Sequence, residues 1–173
     1  GARSGVQLLT AQVFRPGLSG QAFDMHRNRV LTRPDFGEPL VHLPDLHLLI
    51  WALPNDAALP QLPSLLNAAQ QAAQSPPLQH AARSAPLQQG GATAQQLGVE
   101  LVRYVPHERA TLRYTVATSP QSGQEIIYAK TFAAARGADI HARFAWFWER
   151  AQHNTQAPLV AQPLAHDTLT VWQ

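Results

Sequence analysis

Cysteine is absent from the 173 residues. That excludes a disulfide framework and any thiolate metal site. Lysine occurs once, as Lys130, against twelve arginines. No Lys/Arg cluster marks a nucleic-acid footprint. The formal net charge is only +2, and the pI near 9.5 reflects a small arginine excess rather than a basic tract. No apolar run approaches the ~20 residues of a membrane span; the longest, Leu46 to Leu53, has His47 inside it and is strand-sized. The first residues lack the charged, apolar and cleavage regions of a secretory signal. The lysine follows Ala129 rather than glycine, so there is no P-loop, and no Gly-x-Gly-x-x-Gly, His-Glu-x-x-His or Gly-x-Ser-x-Gly is present. These absences lead to the expectation of a cytoplasmic protein that engages neither nucleic acid nor membrane.

What is present reads as α+β, with antiparallel sheets and a packed amphipathic helix. Residues 1–75 form an expected N-terminal α+β subdomain. Val6–Phe14 is mostly apolar and strand-like, Arg15-Pro16-Gly17 is a turn signal, and Gln21–Leu31 is a further candidate strand. Leu46–Leu53 is the strongest strand of this half. Leu62, Leu65, Leu66, Ala69 and Ala73 fall at helical spacing over Pro60–Gln74, and Asn55 or Asp56 is placed to cap that segment. Residues 76–96, rich in Pro, Gln, Ala, Ser and Gly, read as a linker, with room for one weak helix. Residues 97–173 are the clearest. Val99–Tyr104, Ala110–Ala117 and Glu125–Phe132 are strands joined by Pro106-His107-Glu108 and by a hairpin loop over Ser119–Gln124, which predicts an antiparallel meander. Ala138–Gln152 carries Ile140, Phe144, Phe147 and Ala151 on one stripe, with Trp148 beside it. Short strands at Pro158–Val160 and Leu169–Trp172 close the chain.

Lys130 lies within Glu125–Phe132, an apolar run. An ammonium there is costly unless it is matched or reaches water. It serves either as a snorkelling strand-end cation or as a mobile point charge for a ligand. His42, Asp45 and His47 are the only close metal-type group, and extended geometry would splay them, so scattered histidines are the favoured reading. Arg27, Arg29 and Arg33 read as a solvated face before an anion site. Phe144, Trp146, Phe147 and Trp148 form a dense aromatic patch whose favoured reading is core packing, with Trp146 left over for a contact between domains or with a second copy of the chain as the alternative.

The second half resembles the aminoglycoside phosphotransferase-like, small-molecule kinase family. Leu101-Val102-Arg103-Tyr104-Val105-Pro106-His107-Glu108-Arg109-Ala110-Thr111-Leu112-Arg113-Tyr114 is similar to its first two strands. Ile127-Tyr128-Ala129-Lys130-Thr131-Phe132 is similar to its third strand, and Pro158–Asp167 with Leu169–Gln173 to its fourth and fifth, running into the hinge. The resemblance implies a kinase-like N-terminal lobe over 97–173 that holds ATP with Mg2+. Lys130 would sit on the phosphates, Tyr128 and Gln173 beside the base, and His107 in the phosphate-covering hairpin, where glycine is usual. Glu149, 19 residues after the lysine, is the candidate ion-pair partner on the helix, with Asp139 as its rival; the stripe turns Glu149 roughly opposite the packed face. No residue of this chain is expected to be catalytic and none to ligate metal. The His-x-Asp loop, the metal-binding Asp and the small-molecule acceptor site would belong to a C-terminal lobe beyond Gln173. The alternative is a non-catalytic interaction or regulatory module built on the same lobe.

Overall fold

The computed structural model describes residues 7–29, 31–84, 97–119, 123–154, 156 and 159–173. Among these the protein is α+β, with two antiparallel sheets. It divides into two compact units, one ending at Pro63 and one running from Ser64 to Gln173.

In the first unit, β1 (Leu9–Val13), β2 (Leu40–Leu43) and β3 (Leu48–Ala52) form a sheet ordered β1-β3-β2. Helix α1 (Leu18–Arg27) occupies most of the segment expected to be a strand. The positions it covers, Ser19, Ala22, Phe23 and His26, fall at helical rather than alternating spacing. Gly17, at φ 83°, turns the chain into the helix, and Asp24 pairs with Arg27 one turn on at 3.1 Å. α1 packs through Ser19, Phe23 and His26 on the sheet face that carries His42 and Trp51. The opposite face holds Leu9, Ala11, Val13, Val41, Leu43, Leu48 and Ile50. Asn55 does not cap a helix. Buried, it clasps the backbone of Thr32 with two bonds of 2.8 Å and donates to the Ala52 carbonyl at 2.9 Å. Asp56 Oδ1 accepts from Ala58 and Leu59 N–H at 2.7 and 3.2 Å, which makes the turn.

The single helix expected over Pro60–Gln74 is split into α2 (Leu62–Leu66) and α3 (Ala68–Gln74). Asn67 breaks it, because its Oδ1 accepts from Gln70 N–H and so starts a new helix. Residues 76–84 of the expected linker form α4 (Pro76–Ser84). Pro76 and Pro77 fit a first turn, and Leu78 and Ala81 are buried. Residues 85–96 lie outside the described residues. The division at Pro63/Ser64 thus falls before the boundary expected at residue 75.

The second sheet contains β4 (Leu97–Val105), β5 (Arg109–Ser119), β6 (Gly123–Phe132), β7 (Ala165–His166) and β8 (Thr170–Trp172), in the order β4-β5-β6-β8-β7. The tip of the β5–β6 hairpin, 120–122, lies outside the described residues. Of the expected strand at Pro158–Val160, residues 159 and 160 are irregular and β7 forms instead at Ala165–His166. Strand alternation gives this sheet two unlike faces. Ala110, Leu112, Tyr114 and Val116 stand opposite Thr131, Ala129, Ile127 and Glu125, and all but Glu125 are buried. α3 and α4 cover this side. Tyr114 lies at its centre, donating from its hydroxyl to the Leu65 carbonyl at 2.5 Å and tilted against Trp172. α5 (Gly137–Gln152) packs on β7 and β8. Its phase is set by Gly137, whose N–H donates to the Thr168 carbonyl at 3.0 Å. Ile140, His141, Phe144, Ala145, Trp148 and Ala151 are half-buried in consequence, while Phe147, expected on the packed stripe, is 54% exposed. Among the described residues no helix is long and apolar enough to cross a membrane.

Candidate functional site

The open face of the second sheet carries Thr111, Arg113 and Thr115 on β5 opposite Lys130, Tyr128 and Ile126 on β6. Each of these side chains retains contact with solvent. β8 enters beside β6, so Lys130 faces Val171 on one side and Thr111 on the other. Tyr128 and Gln173 exchange backbone hydrogen bonds of 2.7 and 2.9 Å. Lys130, Tyr128 and Gln173 therefore cluster at one end of one face. The amide Oε1 of Gln173 is buried and accepts no hydrogen bond among the described residues.

Lys130 is half-buried. Desolvation holds its ammonium below the usual lysine range. Its Nζ lies 4.9 Å from the centroid of the Phe144 ring, on the ring face. It forms no salt bridge within 4.0 Å among the described residues. Glu149 is exposed on the outer flank of α5 and does not reach it. Asp139, the rival, is bound to Arg143 at 3.2 Å. Neither carboxylate is brought to the lysine. The cause is helix phase: both lie five residues from Phe144, about 140° round the helix. Phe144 was legible only as a core position, since nothing in the spacing tells which residue of a stripe meets a given strand residue.

His107 lies in the β4–β5 turn, beyond the Arg109/Phe132 pair, with its backbone at φ 59°. Glu108 N–H closes the turn onto the Val105 carbonyl at 3.1 Å, and the Glu108 carboxylate pairs with Arg109 at 2.7 Å. A left-handed turn position held by histidine leaves a side chain where glycine would leave open backbone. Arg113 and Glu100 form a salt bridge across β4 and β5 on the open face.

The other candidate groups are dispersed. His42 contacts Ser19 Oγ at 3.1 Å and stacks on Phe23, while Asp45 and His47 lie in the turn after β2. Among the described residues no three His, Asp or Glu side chains are grouped to hold a metal ion. Arg29 donates to the Ala57 carbonyl at 3.1 Å. Trp146 is 50% exposed, with Arg150 over its ring at 4.5 Å and Phe147 against its edge.

No protein-family model, curated protein or solved structure matches this chain.

Proposed function

We propose that the chain is the ATP-binding N-terminal part of a small-molecule phosphotransferase, working in the cytoplasm. The observation that carries this reading is the place of Lys130. The only lysine stands on the third strand of a five-stranded antiparallel sheet, on its open face, with a helix after it and the last strand returning beside it. The order strand, strand, strand, helix, strand, strand is the one implied by the resemblance to small-molecule kinases. Lys130 suits the α- and β-phosphates as a mobile point charge. Tyr128 offers a ring for stacking on the base, and Gln173 Oε1 an acceptor for an exocyclic amine.

The fit to ATP is one-sided. The face supplies positive charge and a base-sized aromatic, but among the described residues no free carboxylate cluster for Mg2+. Metal ligands, the base that deprotonates the acceptor and the acceptor site itself are assigned to a further lobe. Within this reading Lys130 lowers the cost of bringing phosphate charge to the sheet, and nothing covalent passes through this chain.

The single lysine makes the test clean. An ATP acyl-phosphate probe, which acylates amines near bound phosphates, should modify Lys130, and excess MgATP should protect it. Lys130→Met should abolish MgATP-dependent thermal stabilisation while shifting the unliganded melting temperature little. Unprotected labelling, or a variant that simply melts early with unchanged response to nucleotide, would make the lysine structural.

The turn at His107 and the distance of Glu149 favour a second reading, a non-catalytic interaction module on the same lobe. In that case Trp146 and Phe147 would carry the contact, and MgATP would protect nothing.

A further inference from the structure

The lysine of this sheet has a partner, but it is not a carboxylate. We propose that the ring of Phe144 positions Lys130, so that the ammonium is presented to a phosphate-bearing ligand without a neutralising ion pair. The ligand part rests on the nucleotide reading above; the geometry does not.

Among the described residues, the carboxylates of the surrounding elements are engaged elsewhere or turned away. Glu100 holds Arg113 and Glu108 holds Arg109. Asp139 holds Arg143. Asp167 Oδ1 accepts from Leu169 and Thr170 N–H, both at 2.7 Å. Glu125 belongs to the opposite face of β6, and Glu149 to the exposed flank of α5. The ring of Phe144 remains, 4.9 Å from Nζ.

The difference matters for anion binding. A carboxylate fixes a lysine by taking its hydrogen bonds and cancelling its charge, and it then repels an arriving phosphate. A ring face attracts the cation through its quadrupole and takes no hydrogen bond. The N–H donors on the side away from the ring stay available, with one apolar wall behind them. Phe144 is itself held in place: α5 is tied at its start by Gly137 to Thr168 and lies along β7 and β8. The lysine is therefore confined by packing rather than by charge.

A direct test uses the one lysine as its own reporter. Reductive 13C-methylation gives a single lysine resonance, assigned by its loss in Lys130→Arg. In the unliganded protein that resonance should show a ring-current displacement. Phe144→Leu should remove the displacement, Phe144→Tyr should restore it, and Glu149→Gln should leave it unchanged. Affinity for MgATP, measured on unmethylated protein, should fall about 3- to 30-fold in Phe144→Leu, the range one cation–π contact supplies. It should stay within about 2-fold in Phe144→Tyr and Glu149→Gln, since those keep the contact. An undisplaced wild-type resonance, or one that responds to Glu149→Gln and ignores Phe144→Leu, overturns the proposal. If the resonances behave as described but no variant, nor the wild type, binds MgATP, the ring stands as the positioning group and the nucleotide reading fails. Because Phe144→Tyr keeps the packed ring, a folding defect confined to Phe144→Leu is separated from loss of the contact.

Discussion

Replacing Gly137 by alanine tests the packing that sets the phase of α5. A Cβ built there would lie 1.9 Å from the Asp167 carbonyl oxygen and 3.2 Å from the Thr168 carbonyl carbon, against 3.4 Å or more in ordinary contact. Helix and turn must separate by about 1.5 Å to admit it, and the obstacle is backbone on both sides, so no rotamer change relieves it. Forcing an extra methyl into such a site costs typically ~1–3 kcal/mol, and a backbone obstacle argues for the upper end. Better helix propensity returns at most about 1 kcal/mol. The net loss is about 2 kcal/mol, a fall in melting temperature of roughly 6–12 °C for a unit of this size. Gly98→Ala is the matched control. The same added methyl there would lie 3.8 Å from Thr115 Cβ and 3.9 Å from its carbonyl oxygen, so it should be neutral or stabilise by up to ~1 kcal/mol through lost chain entropy. Thermal unfolding by circular dichroism compares the two, and hydrogen exchange over 137–152 and 167–172 locates the effect. Equal melting temperatures for the two variants would refute the close approach, and with it the account of why Phe144 rather than Glu149 faces Lys130.

Two further outcomes concern the sheet itself. Tyr114→Phe removes the hydroxyl that donates to the Leu65 carbonyl while keeping the ring against Trp172; leaving that buried carbonyl without its donor should cost ~1–3 kcal/mol in denaturant unfolding with an unchanged m-value, and a loss below ~0.5 kcal/mol would show the bond to be idle. His141 on α5 lies 4.6 Å from His166 on β7, and desolvation, then the charge of His166, hold its imidazole below the usual 6.5. The unfolded chain then takes up the proton more readily, so stability is full above about pH 6.5 and declines as pH falls below it. Melting temperatures between pH 8 and 5 should drop less steeply in His166→Gln, and parallel profiles would show that the two rings do not interact.

The second sheet was legible because its strands alternate cleanly. Leu112, Tyr114 and Val116 on one face, and Lys130 set against Ile127 and Ala129, are period-2 signals that survive any error in strand ends. The first unit was harder. Gln21–Leu31 mixes apolar and basic residues without a clean period, and the left-handed Gly17 that starts α1 is visible only as a turn. Residues 76–84 read as linker by composition. Proline and glutamine suit the start and surface of a helix as well as a loop, and burial of Leu78 and Ala81 decided the matter. The candidate site was half legible. Lys130 and Tyr128 share a face by strand alternation; Gln173 joins them because the last strand, β8, returns across α5 and β7 to pair with β6. The stripe already turned Glu149 from the packed face, but which residue of that stripe meets Lys130 depends on helix rotation about one glycine contact, a tertiary fact with no local signature.

These two degrees of legibility have one physical cause. A sheet face buried under helices must be uniformly apolar, so the pattern announces it; α3 and α4 rest on such a face. The opposite face meets that demand only at its β8 edge, where α5 buries Val171, and is free of it over β5 and much of β6. It can carry Arg113, Tyr128 and Lys130 without loss to the core, because rigidity is supplied from behind. Its residues are then selected by what they meet, one at a time: Glu100 for Arg113, the Gln173 backbone for Tyr128, the Phe144 ring for Lys130. Substitutions should divide accordingly. Those on the Tyr114 side register as stability with little change in ligand response. Those around Lys130 register as altered ligand response at nearly constant stability. A lysine that merely shielded the sheet would belong with the first group, and the melting temperature of Lys130→Met without nucleotide assigns it to one or the other.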